Sequence, residues 1–287
     1  LHVVSLQAAS CVSEDIGGRL GDTPQRDDRR MSSELVSVRI LAVLAAAQDR
    51  DLLRQGAGVV SVPVDLLEAN NANAANGVLA AGDIDIVLIE TALPLADRSA
   101  VLNTARAKQP PPFVILVAES REEACTHPVG APGTADGIVV KPTTSERAEA
   151  LMARCIRLRL PSRILIVDDS STTRSIVRKI LSASRFRLEL AEAQEGIEAL
   201  KQIASGRFDL VILDYNMPGL NGIETLSEIK RQYPRLGVLM MTSTPEQAVA
   251  EKARAAGAAA FLKKPFFPTD IDAVLYSVFG LRVAAQR

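Results

Sequence analysis

The sequence predicts an α/β protein built as two domains, each a parallel sheet covered on both faces by helices. Three observations carry that reading. Short apolar runs alternate with amphipathic stretches from Val36 to the end of the chain, which is the pattern of repeated β–α units. Several of the runs, such as Ile84–Ile89 and Phe208–Leu213, are apolar almost without interruption. Strands buried on both faces look like this. Finally, the two halves repeat. Asp85–Pro94 lines up with Asp209–Pro218, and Arg39-Ile-Leu-Ala-Val with Arg163-Ile-Leu-Ile-Val, both at an offset of 124 residues (214 less 90). Val140-Lys141-Pro142 lines up with Lys263-Lys264-Pro265 one residue short of that offset. Three anchors in one register make chance an unattractive explanation.

In chain order, residues 1–34 carry Gly17-Gly18, Pro24 and a charged run at 26–30 and read as an irregular tail, or as an over-extended start with Met31 as the true beginning. No basic segment followed by an apolar one marks a signal peptide. The first domain is expected over 35–160. Its strands are expected at Val38–Leu44, Val59–Val62, Ile84–Ile89, Phe113–Val117 and Gly137–Val140. Helices are expected at Gln48–Gln55, Val64–Leu79, Arg98–Lys108 and Ser145–Arg159, the third stopped by the prolines at 110–112. The second domain is expected over 161–287. Its strands are Arg163–Val167, Arg187–Ala191, Phe208–Leu213, Leu236–Met241 and Ala259–Leu262. Its helices are Thr172–Ala183, entered through the capping types Ser170 and Ser171, then Gln194–Ser205, Gly222–Gln232, Pro245–Ala256 and Pro268–Phe279.

Composition narrows the function classes. The chain has 287 residues and a net charge of −1, which gives no general attraction to nucleic acid or anionic lipid. No apolar stretch is long enough to span a membrane. Cys11, Cys125 and Cys155 are odd in number and widely spaced, and His2 and His127 are scattered, so neither a disulfide framework nor a zinc site is expected. A reducing cytoplasm fits this usage.

The chemistry gathers where parallel strands end. Asp168 and Asp169 close the first strand of the second domain, Asp214 the third, Thr242 the fourth, and Lys264 the fifth. Carboxylates brought to one rim repel one another unless a cation intervenes, and a hard, oxygen-preferring ion such as Mg²⁺ is their natural complement. A carboxylate beside such an ion is a plausible phosphoryl acceptor. A hydroxyl and an ammonium then suit the phosphoryl oxygens. Singly, each residue has a plainer reading: Asp168-Asp169 as a helix cap, Asp214 as a turn residue, Lys264 as a solvated lysine. Jointly they point to chemistry.

On Asp168-Asp169, Asp214 before Asn216-Met217-Pro218-Gly219, Thr242 and Lys264-Pro265, the second domain resembles the receiver domains of two-component response regulators. The resemblance implies a flavodoxin-like doubly wound sheet of order 2-1-3-4-5 in each half. It implies that Asp214 takes a phosphoryl group from a phosphohistidine on a histidine kinase or histidine phosphotransfer protein, and that the protein is not itself an enzyme. Mg²⁺ would be held by Asp169 and Asp214, by Asp168 through water, and by the Asn216 backbone carbonyl. Thr242 and Lys264 would bind the acyl phosphate, and Phe261 would be the switch aromatic. The switching surface would comprise 245–256, 259–262 and 268–279.

In the first half Leu44 and Ala45 replace the acidic pair, Glu90 replaces Asp214, Ala118 replaces Thr242, and Ile138 replaces the aromatic; Lys141-Pro142 remains. This half is therefore expected to be a degenerate receiver that binds no metal and takes no phosphoryl group. Glu90 is expected to pair with Lys141. Docking or homodimerisation is its expected role, an inert relic the alternative. With no further module after 268–279, output is expected through contact with a downstream protein. Two rivals stand beside this reading. A haloacid-dehalogenase-like phosphatase also uses a strand-end Asp and Mg²⁺, but wants a second Asp where Asn216 stands. A non-catalytic structural adaptor leaves the acidic site unexplained.

Overall fold

The computed structural model describes residues 37–281 except 131–132, 220 and 244–246. The tail expected over 1–34 lies outside them. The first unit runs β1 (Val38–Val43), α1 (Ala47–Val59), β2 (Val64–Ala69), α2 (Ala72–Ala81), β3 (Ile86–Glu90), α3 (Leu95–Arg106), β4 (Phe113–Ala118), α4 (Arg121–Thr126), β5 (Gly137–Val140), α5 (Ser145–Arg157). The second runs β6 (Ser162–Val167), α6 (Ser171–Ser182), β7 (Leu188–Ala193), α7 (Gly196–Ser205), β8 (Leu210–Asp214), α8 (Gly222–Gln232), β9 (Gly237–Thr242), α9 (Gln247–Ala255), β10 (Ala260–Lys263), α10 (Pro268–Val278).

Each unit holds one five-stranded sheet. The orders are β2-β1-β3-β4-β5 and β7-β6-β8-β9-β10, and every pairing is parallel. Both are the doubly wound 2-1-3-4-5 order expected from the sequence. Alternation along the strands sorts the core into layers. Leu41, Val43, Val87 and Ile89 face α2 and α3, while Leu165, Val167, Val211 and Leu213 face α7 and α8. The opposite faces, Ile40, Ala42 and Leu88 in one unit and Ile164, Ile166 and Ile212 in the other, belong to one apolar cluster that runs through both units.

Two expectations for the first unit are corrected. Val59–Val62 is not a strand, and Val64–Leu79 is not one helix: Val64–Ala69 is β2, paired residue for residue with Val38–Val43, and the helix starts only at Ala72. Asn71 caps it by accepting a hydrogen bond from the Ala74 N–H. Val64–Ala69 carries a mixed pattern of apolar and acidic residues with no clean alternation. Backbone pairing on the edge of the sheet overrides that local pattern. The short helix α4, capped by Ser120 onto the Glu123 N–H, was not expected.

Candidate functional site

The C-terminal ends of β6, β8, β9 and β10 bring Asp168, Asp214, Thr242 and Lys264 to one rim. Register sets this. Asp214 lies opposite Met241 and Thr242 opposite Lys263, and the Lys264 N–H donates to the Thr242 carbonyl at 2.7 Å. Lys264 therefore leaves the strand over the rim, and the Lys264–Pro265 peptide is cis. Its ammonium donates to Asp168 Oδ2 at 2.7 Å and to Asp214 Oδ1 at 2.8 Å. It is Lys264, not Lys263, that enters the site, as spacing to the proline suggested.

Asp168 is 1% exposed and Asp214 5%, whereas Asp169 faces solvent. The three offer carboxylate oxygens within 4.8 Å of one another. An all-oxygen donor set, with one acid open to water, fits a small hard divalent cation. Asp168 is partly committed. Its Oδ1 accepts from the Ser170 N–H at 2.9 Å, while Ser170 itself caps α6 by accepting from the Thr173 N–H. The plain helix-cap reading of the acidic pair thus goes to the next residue.

The electrostatics are those of crowded buried acids. Burial pushes the Asp214 carboxyl above its ordinary value; the hydrogen bond from Lys264 opposes this, and the Asp168 charge adds to it. Burial works against the Lys264 ammonium too, but the bonds to Asp168 and Asp214 outweigh it and hold its pKa above the ordinary value. The Asn216 backbone beside Asp214 also favours the carboxylate form, as a smaller effect. Thr242 is fully buried at the rim, and Phe261, opposite Met240, is half-buried against the α8–α9 layer. The segment above the acid is closely packed: α8 starts at Gly222, where a methyl group would collide with the Asp214 carbonyl and Tyr215 Cα.

Residues 164–276 match the family model for the response regulator receiver domain. The chain is 37% identical over 119 residues to chemotaxis protein CheY-3 of Vibrio cholerae, spanning 91% of that protein and 41% of this chain. The chain belongs to the response regulator receiver family. It is also 39% identical over 106 residues to chemotaxis protein CheY of Pseudomonas aeruginosa, covering 85% of that protein and 36% of this chain. Among solved structures, Vibrio cholerae chemotaxis protein CheY4 is 31% identical, with 42% of this chain and 99% of that one covered and a TM-score of 0.37. The family match and the curated relatives make the protein a response regulator of two-component signal transduction. The family match lies within the second unit.

The first unit has the same sheet but a different rim. Glu90, 4% exposed, accepts from the Ala45 N–H at 2.8 Å. The Lys141 ammonium lies 2.9 Å from Asp49, 3.6 Å from Glu90, and in a short contact with Glu119. Burial disfavours this ammonium, but Glu119 and Asp49 more than compensate and raise its pKa. Glu90 and Lys141 pair as the sequence suggested. Asp49 and Glu119 were not foreseen, because Asp49 lies in the first turn of α1 and Glu119 follows β4 one residue past the position aligned with Thr242.

A second missed feature recurs in both units. Arg174, nearly buried, donates to the Asp168 carbonyl at 2.8 Å and to Glu192 at 3.0 Å. Arg50 donates to the Leu44 and Ala45 carbonyls at 2.6 and 2.8 Å and pairs with Glu68 at 3.5 Å. Arg50 and Glu68 sit 124 residues before Arg174 and Glu192. The repeat offset was the signal that could have found them. Because the clamp persists where the acids are gone, it serves the strand–helix joint rather than the chemistry.

Proposed function

We propose that the receiver unit, residues 161–287, accepts a phosphoryl group on Asp214 from a phosphohistidine of a histidine kinase or histidine phosphotransfer protein. The reading is carried by the convergence of Asp168, Asp169, Asp214 and Lys264 on one rim. In the transfer the P–N bond breaks as the Asp214 oxygen bonds phosphorus, and the imidazole keeps the electron pair and takes a proton. The attacking group must be the carboxylate. Burial that raises the Asp214 pKa works against this, and Lys264 opposes that effect.

Mg²⁺ is the cofactor this donor set fits. Asp169 and Asp214 would hold it directly, Asp168 through water, and Asn216 through its backbone carbonyl. When bound, it supplies positive charge against the phosphoryl oxygens. Lys264 and Thr242 orient those oxygens from the protein side, and phosphorylation, by adding charge and acceptors, draws on Thr242 and repositions Phe261.

The first unit, residues 35–160, is in this proposal a degenerate receiver. Lys141 among Asp49, Glu90 and Glu119 supplies the cation that a metal would otherwise bring, so its rim needs neither metal nor phosphate. Signal leaves by protein contact, and the protein works in the cytoplasm. No helix among the described residues is long and apolar enough to cross a membrane. The phosphatase reading has nothing further in its favour, since Asn216 occupies the place of its acid–base.

The test is labelling of the full chain by a phosphorylated histidine kinase, or by acetyl phosphate with Mg²⁺, read by intact mass. A single Mg²⁺-dependent addition of one phosphoryl group is expected, lost in Asp214→Asn. Labelling that survives in Asp214→Asn would sink the assignment.

A further inference from the structure

The last helix of a receiver is expected to belong to its switching surface, but here α10 is already engaged. Tyr276 on α10 and Phe279 at its C-cap pack with Phe186, at centroid distances of 5.1 and 5.5 Å, and Phe186 and Tyr276 pack with Phe113 of β4 at 5.5 and 6.1 Å. Phe113 belongs to the other unit. All four rings are buried, and aromatic pairs at these separations are favourable beyond the area they cover.

A polar latch surrounds the rings. The Arg185 guanidinium lies over the Phe113 ring at 4.7 Å and pairs with Asp136 at 2.6 Å. It also donates to the carbonyls of Pro111 and Pro112 at 3.2 and 3.1 Å. Asp136 is itself fixed by Arg106 at 2.8 Å and by the Val114 N–H at 2.7 Å. Arg185 thus reaches across to an acid that the first unit already holds in place.

The chain leaving α10 is held as well. The Ile138 N–H on β5 donates to the Leu281 carbonyl at 2.9 Å, and Leu281 is fully buried. β5 is an edge strand of the first sheet, so this bond satisfies an edge donor with main chain from the other unit. Gly137 makes the approach possible, because a methyl group there would collide with the Leu281 carbonyl.

Position gives these contacts their meaning. Phe113 and Gly137 begin their strands, and Arg185 and Phe186 precede β7. Every contact therefore lies at the N-terminal ends of the strands, away from the rim that carries Asp214 and Lys264. The first unit leaves the acidic site open while it grips α10.

We infer that the first unit is a fixed internal partner of the receiver's last helix: it closes α10 to outside partners and confines the receiver's response to α9 and β10. Only the second clause rests on the proposed phosphorylation. The clamp itself stands on the contacts between the units.

Hydrogen exchange on the full chain tests both clauses, with wild type, Arg185→Ala and Gly137→Ala compared in the presence of Mg²⁺, with and without acetyl phosphate. Without acetyl phosphate, amides 275–281 should exchange at least about tenfold faster in both variants than in wild type, as expected when a locally stabilising contact is lost. Arg185 is partly exposed, so its variant removes the latch without opening the core. Wild-type rates at 275–281 in Arg185→Ala would overturn the clamp. With acetyl phosphate, wild-type exchange should change in α9 and β10 and stay constant in 275–281. An equal change in 275–281 would overturn the confinement. Intact mass, measured alongside, reports whether Asp214 was modified. A chain that takes up no phosphoryl group counts against the proposed function, and the comparison made without acetyl phosphate still decides the clamp.

Discussion

Replacing Lys264 with Met keeps most of the side-chain volume and removes the cation between Asp168 and Asp214. Two carboxylates, 1% and 5% exposed, then face each other without a counter-charge. Each lies 2.7–2.8 Å from the ammonium. At an effective dielectric of about 20 the gross attraction of each pair is roughly 6 kcal/mol, most of it already spent on desolvation. Removing one partner of a buried pair costs about 3–5 kcal/mol. The lysine side chain is 19% exposed, so water screens part of its charge and the lower end, about 3 kcal/mol, is expected. For a chain of this size that is a fall in Tm of roughly 6–12 °C. The assay is urea or thermal unfolding of the full chain without divalent metal, repeated with Mg²⁺. Metal at about one hundred times its Kd stabilises by about 2.7 kcal/mol. It should help Lys264→Met more than wild type, because no ammonium competes for the same oxygens. The gap should also close in acid, since the raised Asp214 carboxyl protonates readily once its lysine partner is gone. A variant within about 1 kcal/mol of wild type without metal, or one that gains no more from Mg²⁺ than wild type does, would refute the view of Lys264 as the built-in counter-ion.

Other outcomes follow from the same geometry. Gly222→Ala pushes a methyl group into the Asp214 and Tyr215 backbone; overpacking of this kind costs about 1–3 kcal/mol, and phosphoryl uptake measured by intact mass should fall with it. Lys141→Met leaves Asp49, Glu90 and Glu119 without their shared cation and should lower stability by about 2 kcal/mol in urea unfolding, with the site at Asp214 still labelled. The lysines predict an alkaline limb. Both are held above the ordinary 10.5, so each contributes stability that is complete below that value and lost as pH rises through its folded-state pKa. The difference between wild type and Lys264→Met should therefore persist from neutral pH to about 10.5 and shrink above it. Asp214 has the opposite sign. Its raised pKa makes the carboxylate form a cost that is absent below 3.8 and complete above its folded-state value, so Asp214→Asn should unfold no earlier than wild type at neutral pH in metal-free buffer.

Most strands, the rim chemistry and the duplication were legible because each has a one-dimensional signature, whereas the sheet order followed only from the family resemblance. Buried parallel strands appear as apolar runs, and strand ends carry the chemistry, so Asp168, Asp169, Asp214, Thr242 and Lys264 could be named from spacing alone. β2 was not legible. It is an edge strand with a mixed pattern, and Asp65-Leu66-Leu67-Glu68 suits a helix as well as a strand. Yet β7 shows the same burial pattern 124 residues later, so the repeat could have located it. Lys141's partners were hidden for another reason. Asp49 lies in the first turn of α1 and Glu119 just after β4, and only folding of the sheet brings both to one ammonium.

The sequence by itself determined a doubled scaffold with one complete acidic site, because strand periodicity and strand-end chemistry are local properties. It did not determine how the two copies meet. Phe113, Asp136, Arg185, Phe186, Tyr276 and Leu281 look individually like ordinary core or surface residues. Their partnership depends on long-range apposition of two separately wound sheets, where burial of rings and the satisfaction of an edge-strand N–H select one arrangement. Tertiary structure alone turned α10 from an expected free surface into an occupied one.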